Sequence, residues 1–114
     1  MILKEICSLV SGNVICGKDR LEEAVEYAFA SDLMSDVLTV KKGDFLLITG
    51  LANVQSVRTA EMSDLSYIII CRGKKCSDDM IELAEDNDMV LIESPISLFK
   101  CAGILYNAGL QPIF

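Results

Sequence analysis

The chain has 114 residues, 52% of them apolar and 24% charged, a balance that excludes disorder through low hydrophobicity and points to a single domain. Ten basic against 17 acidic residues leave a net charge of −7, which argues against a general nucleic-acid-binding or anionic-membrane surface. There is no histidine, so Ser/His/Asp and Cys/His relays, histidine metal sites and phosphohistidine chemistry are excluded.

At the start of the chain, Ile2, Leu3, Ile6, Leu9 and Val10 recur at helical spacing with Lys4 and Glu5 opposite, which predicts a first helix stopped by Gly12. The early Glu5 argues against a secretory signal. No apolar run approaches the roughly 20 residues of a membrane span, so a cytoplasmic protein without membrane partners is expected. Residues 13–17 read as a short extended piece, 18–23 as a charged turn, and 25–30 as a strand in which Val25, Tyr27 and Phe29 alternate with Glu26 and alanines. Ser31 or Asp32 is expected to cap a helix with Leu33, Val37 and Leu38 on one side.

Segments 45–49, 67–71 and 89–92 are unbroken apolar runs, the pattern of parallel strands covered on both faces. Helices are expected over 53–62, 77–87 and 95–107. Ser77 caps the second, with Asp78 and Asp79 against its positive end; Ser94-Pro95 opens the third, and Gly109 stands at its left-handed exit. Repeated strand–helix units predict one α/β domain over 1–114, three-layered, with a largely parallel central sheet flanked by helices.

Residues 12–18 spell Gly-x4-Gly-Lys, the opening of a phosphate-binding P-loop. Asp19 stands where the magnesium-holding hydroxyl belongs, and apolar residues fall inside the loop, so Gly12 and Gly17 are read as turn glycines. Cys7, Cys16, Cys71, Cys76 and Cys101, an odd count without a Cys-x-x-Cys pair, read as reduced thiols; no metal or cofactor is expected. The nearest pair in sequence is Cys71 with Cys76, and structural burial is the favoured reading of both; Cys76, after two lysines and before a helix start, is the one candidate for a reactive thiol. Asp32 and Asp36, four apart, would share one helix face, read as a cap and a solvated carboxylate. Arg72-Gly73-Lys74-Lys75 reads as a solvated turn, and Glu82, Glu85, Asp86 and Asp88 as an exposed helix face.

Open parallel sheets bind ligands beyond the carboxyl ends of their strands, where helix starts present free N–H groups. Those ends are Ser31-Asp32, Thr49-Gly50 with Asn53 opening the next helix, Arg72-Gly73 and Glu93-Ser94, with Arg58 one or two turns further along. The candidate ligand-binding residues are therefore Ser31, Asp32, Thr49, Gly50, Asn53, Arg58 and Arg72. No catalytic residues emerge.

The stretch 27–37, Tyr-Ala-Phe-Ala-Ser-Asp-Leu-Met-Ser-Asp-Val, closely resembles the (G/A)-x-x-S-D-L-L-S-D-V segment of the DRTGG domain family, relatives of the N-terminal domain of HPr kinase/phosphorylase. The similarity continues through 43–49, Asn53-Val54, 68–70, 89–94 and 99–103. It implies a small α/β domain like the non-catalytic half of that kinase, usually a regulatory or dimerising module. Similar domains occur beside CBS pairs in regulated pyrophosphatases, in phosphotransacetylases, and alone near iron-only hydrogenases. The Asp-Arg-Thr-Gly-Gly string itself is absent, its nearest piece being Arg58-Thr59-Ala60. The expectation is a non-enzymatic homodimeric module that binds a nucleotide or phosphorylated metabolite. The alternative is an adaptor in redox or hydrogenase-associated metabolism acting through its thiols or surface.

Overall fold

The computed structural model describes residues 1–40 and 44–113; Gly43, which heads the segment 43–49, and Phe114 lie outside them. In chain order the elements are α1 (Leu3–Leu9), β1 (Asn13–Cys16), a 3-10 turn (Lys18–Arg20), β2 (Tyr27–Ala30), α2 (Met34–Thr39), β3 (Leu46–Thr49), α3 (Val54–Met62), β4 (Tyr67–Ile70), α4 (Asp78–Asp86), β5 (Val90–Glu93), α5 (Leu98–Asn107) and β6 (Gln111–Pro112). The sheet order is β1-β5-β4-β3-β2-β6. Pairs from β5 to β6 are parallel, whereas β1 joins β5 antiparallel, with an irregularity between Val14 and Cys16. The expected α/β domain with a largely parallel sheet is what the chain forms.

Every residue of β3, β4 and β5 is buried, which is why these strands are apolar without alternation. Leu47, Ile68, Ile70 and Leu91 pack with Val37, Val57, Ala60, Met80 and Ala84 of α2, α3 and α4. Leu46, Ile48, Ile69, Val90 and Ile92 pack on the other face with Leu3, Ile6, Cys101 and Leu105 of α1 and α5. Each fully buried Leu or Ile contributes roughly 1.5–3 kcal/mol by leaving water. The chain exposes 5926 Å², close to the ~6,200 Å² expected for its mass.

Local signals set the helix ends. Asn53 Oδ1 accepts from Ser56 N–H at 3.3 Å and Ser77 Oγ from Met80 N–H at 3.2 Å, as those caps predict. Gly109 leaves α5 with φ +112°. Three expectations need correction. Neither Ser31 nor Asp32 caps α2: Ser31 Oγ accepts from Leu33 N–H at 3.0 Å, the helix begins at Met34, and Asp32 turns away from it. Asp32 and Asp36 therefore share no helix face, and the buried side of α2 is Met34 and Val37, with Leu33 and Leu38 exposed. The third concerns α5, which starts a turn later than 95. Ser97 is its cap, accepting from Lys100 N–H at 3.1 Å, because Ser94 Oγ is engaged with Val10 O at 2.7 Å. The strand expected over 25–30 is shortened to Tyr27–Ala30, and β6 is an addition.

At the amino end of the sheet, Tyr67 O–H donates to Glu23 Oε1 at 2.7 Å. Arg20 donates to both Glu23 oxygens at 2.8 Å and stacks 5.4 Å from the centre of the Tyr67 ring. A further donation from Arg20 Nη1 to Asp88 O ties the 3-10 turn to the chain entering β5. These bonds hold the Glu23 carboxyl down at about 2, with Arg20 the larger influence and Tyr67 the second. Burial and the bond to Glu23 push the Tyr67 phenol up to about 12.

Candidate functional site

Beyond the carboxyl ends of β2, β3 and β4, three loops converge. The chain leaving β2 stays on the sheet for one more residue through Ser31 N–H to Ile48 O at 3.0 Å, and Asp32 then folds its side chain over the neighbouring strand end. Its Oδ1 accepts from Thr49 Oγ1 at 3.0 Å and from Gly50 N–H at 2.6 Å. Thr49, fully buried, in turn accepts from Leu51 N–H at 3.1 Å. One carboxylate oxygen thus satisfies the backbone and hydroxyl groups that lead into α3. Oδ2 has no hydrogen-bond partner among the described residues.

Arg72 follows β4 with φ +69° and donates its N–H to Ile96 O at 2.7 Å. Its side chain crosses to the next loop. A Cβ placed on Gly50 would lie 2.7 Å from Arg72 Cδ and 3.4 Å from both Arg72 Nη1 and Asp32 Oδ1, so the absent side chain at position 50 is what lets the arginine lie there. The guanidinium is exposed and has no ion-pair partner among the described residues. Asp32, Thr49, Gly50 and Arg72 are therefore gathered, with Ser31 at the rim. Asn53 uses its amide oxygen as the α3 cap, and Arg58 is exposed on the same helix.

Sheet topology adds what the strand pattern lacked. The chain leaves β4 toward α4 on one face and leaves β5 toward α5 on the other, so the topological switch, where open α/β sheets form their crevice, lies between β4 and β5. Arg72 springs from that point. The crevice itself is bridged by Arg72 N–H to Ile96 O and Gly73 N–H to Ser94 O. No sequence signal announced Ile96, because the face taken by α5 is a tertiary choice.

The thiol expectation is corrected. Cys76 is pushed up to about 12, first by burial and then by Glu93, whose Oε2 accepts from Cys76 N–H at 2.8 Å. The nearby Lys75, 3.4 Å from Glu93 Oε1, is spent on that carboxylate. Cys71 and Cys76 do not meet, because they pack on opposite faces of the sheet. Among the described residues no cluster of Cys, Asp and Glu has the arrangement to hold a metal ion, and no helix is long and apolar enough to cross a membrane. Gly17, with φ +85°, opens only the three-residue 3-10 turn, as fits a turn glycine.

The sequence profile of the DRTGG domain matches residues 5–108. The chain belongs to the DRTGG domain family. Among solved structures, it is similar to the CBS and DRTGG domains of the regulatory region of Clostridium perfringens pyrophosphatase, determined with the activator diadenosine tetraphosphate. The two share 17% identity with a TM-score of 0.74, over 98% of this chain and 48% of that one, a likeness of fold. This DRTGG chain thus spans about half of that regulatory region. No curated protein matches it in sequence.

Proposed function

We propose that this DRTGG domain acts over residues 1–114 as a non-catalytic, cytoplasmic regulatory module that pairs as a homodimer and senses a nucleotide or phosphorylated metabolite at the loops after β2, β3 and β4. The observation that carries the reading is the juxtaposition of an unpaired Arg72 guanidinium, a Gly50 surface without a side chain, and the free Oδ2 of Asp32. A guanidinium fork suits phosphate oxygens, and a carboxylate at a strand end suits a ribose diol. Asp32 Oδ1 is already occupied by the protein, so its role toward the ligand is confined to Oδ2, while Ser31 and Thr49 support the loops. The similar pyrophosphatase region, solved with a dinucleoside polyphosphate, makes adenine nucleotides the first class to try.

Thermal unfolding with AMP, ATP, diadenosine tetraphosphate and phosphorylated sugars tests it. A ligand at 100 times its Kd adds about 2.7 kcal/mol of stability. The rise in midpoint is expected to vanish in Arg72→Ala, whose unliganded midpoint stays near the parent's. A flat screen overturns the sensing role. Sedimentation at micromolar concentration tests the pairing, and a clean monomer overturns it.

A further inference from the structure

We propose that the outer face of α5, with the groove between that helix and β2, is the surface on which a second copy of this chain docks, the two α5 helices crossing antiparallel over Ala102 and Gly103. The proposal rests on the homodimer reading above and names its interface.

The groove follows from the sequence. On this side of the sheet α1 and α5 pack over β3, β4 and β5, while β2 turns only Ala28 and Ala30 toward α5, methyl groups too short to fill the space beside the helix. An open groove of about 380 Å³ results, bounded by these alanines, by Pro112 and by the α5 residues Phe99, Gly103 and Tyr106. The three α5 residues recur at i, i+4 and i+7 and share one helix face. Phe99 is 90% and Tyr106 66% exposed, the two most exposed large apolar side chains among the described residues. They stand roughly 10 Å apart along the axis, and between them a Cβ on Gly103 would meet nothing within 4 Å.

Two rings flanking a hollow fit a copy of themselves. A two-fold axis midway between Phe99 and Tyr106 falls between Ala102 and Gly103. It lets the helix backbones approach over small residues and lays each Phe99 against the second copy's Tyr106, so one patch serves both chains. Four such rings supply about half of the ~1,200 Å² at which specific interfaces begin, and the groove wall adds to it.

Charge selects the same face. Each copy carries −7, so two copies repel over most of their surfaces. No acidic residue follows Glu93. Among the described residues α5 is the one helix without a carboxylate, and its single charged residue, Lys100, does not line the groove. A small-molecule pocket needs a few placed polar groups to orient its ligand; here no charged side chain among the described residues lines the groove, and Gln111 Nε2 is spent on Gly109 O at 3.2 Å.

Sedimentation of the parent, Phe99→Glu, Tyr106→Glu and the double variant Phe99→Glu with Tyr106→Arg tests the surface. The parent is expected to pair at micromolar concentration. Each single variant should raise the dimer Kd at least tenfold while its unfolding midpoint, taken at a concentration where the parent is monomeric, stays near the parent's. The double variant should recover part of the loss, because each new glutamate meets an arginine of the other copy. Hydrogen exchange of the parent, diluted through its Kd, reads the interface without any substitution, and concentration-dependent protection is expected within residues 98–113. Variants that keep the parent's Kd, or protection confined to other segments, overturn this interface and leave the pairing standing. A double variant that pairs no better than Phe99→Glu overturns the antiparallel crossing. A parent that stays monomeric defeats the homodimer reading and the interface with it; if that monomer binds anilinonaphthalene sulfonate and Phe99→Glu does not, the groove takes a small apolar ligand instead.

Discussion

Asp32 Oδ1 accepts the Gly50 amide at 2.6 Å across a separation of 18 residues, so the chain leaving β2 is fastened to the chain entering α3. The bond explains why a residue suited to cap α2 does not do so. Asp32 gains two donors in the neighbouring loop, Gly50 N–H and the Thr49 hydroxyl, where a cap would have brought it one or two at the edge of a six-residue helix.

Asp32→Ala is expected to lower stability by about 1–3 kcal/mol, since it strands the Gly50 amide and the Thr49 hydroxyl in a part-buried setting. Urea unfolding should show a lower midpoint with an unchanged slope. Asp32→Asn keeps an acceptor and should fall between the two. A parental midpoint in the alanine variant would show that this clamp adds nothing in solution.

Gly50→Ala separates binding from folding. The new methyl meets Arg72 Cδ, part of a flexible exposed side chain, so the arginine moves and the backbone stays. Stability is expected to change by less than about 1 kcal/mol, while any nucleotide-induced rise in midpoint is lost. Gly17→Ala makes the contrast: φ is +85° and the Cβ would lie 2.8 Å from Val90 Cα. There the backbone must yield, and a loss of about 2 kcal/mol or more is expected.

Stability should depend on pH at both extremes through the Arg20–Glu23–Tyr67 network. Glu23 titrates at about 2 in the fold against roughly 4.3 in an open chain. Its contribution is therefore present above the open-chain value and fades as pH falls through that interval. Tyr67 is raised to about 12 from roughly 10, so its contribution holds below the open-chain value and is lost as pH climbs through the folded one. Glu23→Gln should flatten the acid limb. Unfolding midpoints measured from pH 2 to 5 check this, and identical slopes in parent and variant would refute it.

Thr59, fully buried on α3, has a hydroxyl with no hydrogen-bond partner among the described residues. Thr59→Val exchanges that oxygen for a methyl of similar shape and is expected to stabilise by roughly 1 kcal/mol, a rise of a few degrees in Tm. A fall in Tm would mean that the hydroxyl is satisfied in solution.

The parallel strands were legible because Leu46–Thr49, Tyr67–Ile70 and Val90–Glu93 are buried on both faces, a condition that writes itself into composition. Caps with short-range partners, at Asn53 and Ser77, could be read as easily. Distant partners defeated the same reasoning. Ser94 looked like a helix cap until Val10 claimed its hydroxyl, and Cys76 looked activated by its lysines until Glu93, 17 residues away, took its amide and paired with Lys75. Of the site, Asp32, Thr49, Gly50 and Arg72 followed from the rule that strand ends hold ligands.

The margin formed by β6 has one more consequence. Gln111 N–H and Ile113 N–H both donate inward to β2, at Glu26 O and Ala28 O, so position 112 between them turns its nitrogen outward. That nitrogen belongs to Pro112 and carries no hydrogen. A strand arriving from outside finds no donor there to pair with, so the sheet stops growing at this side. Copies of the chain that associate through this margin would have to meet through helices or loops and not by extending a common sheet.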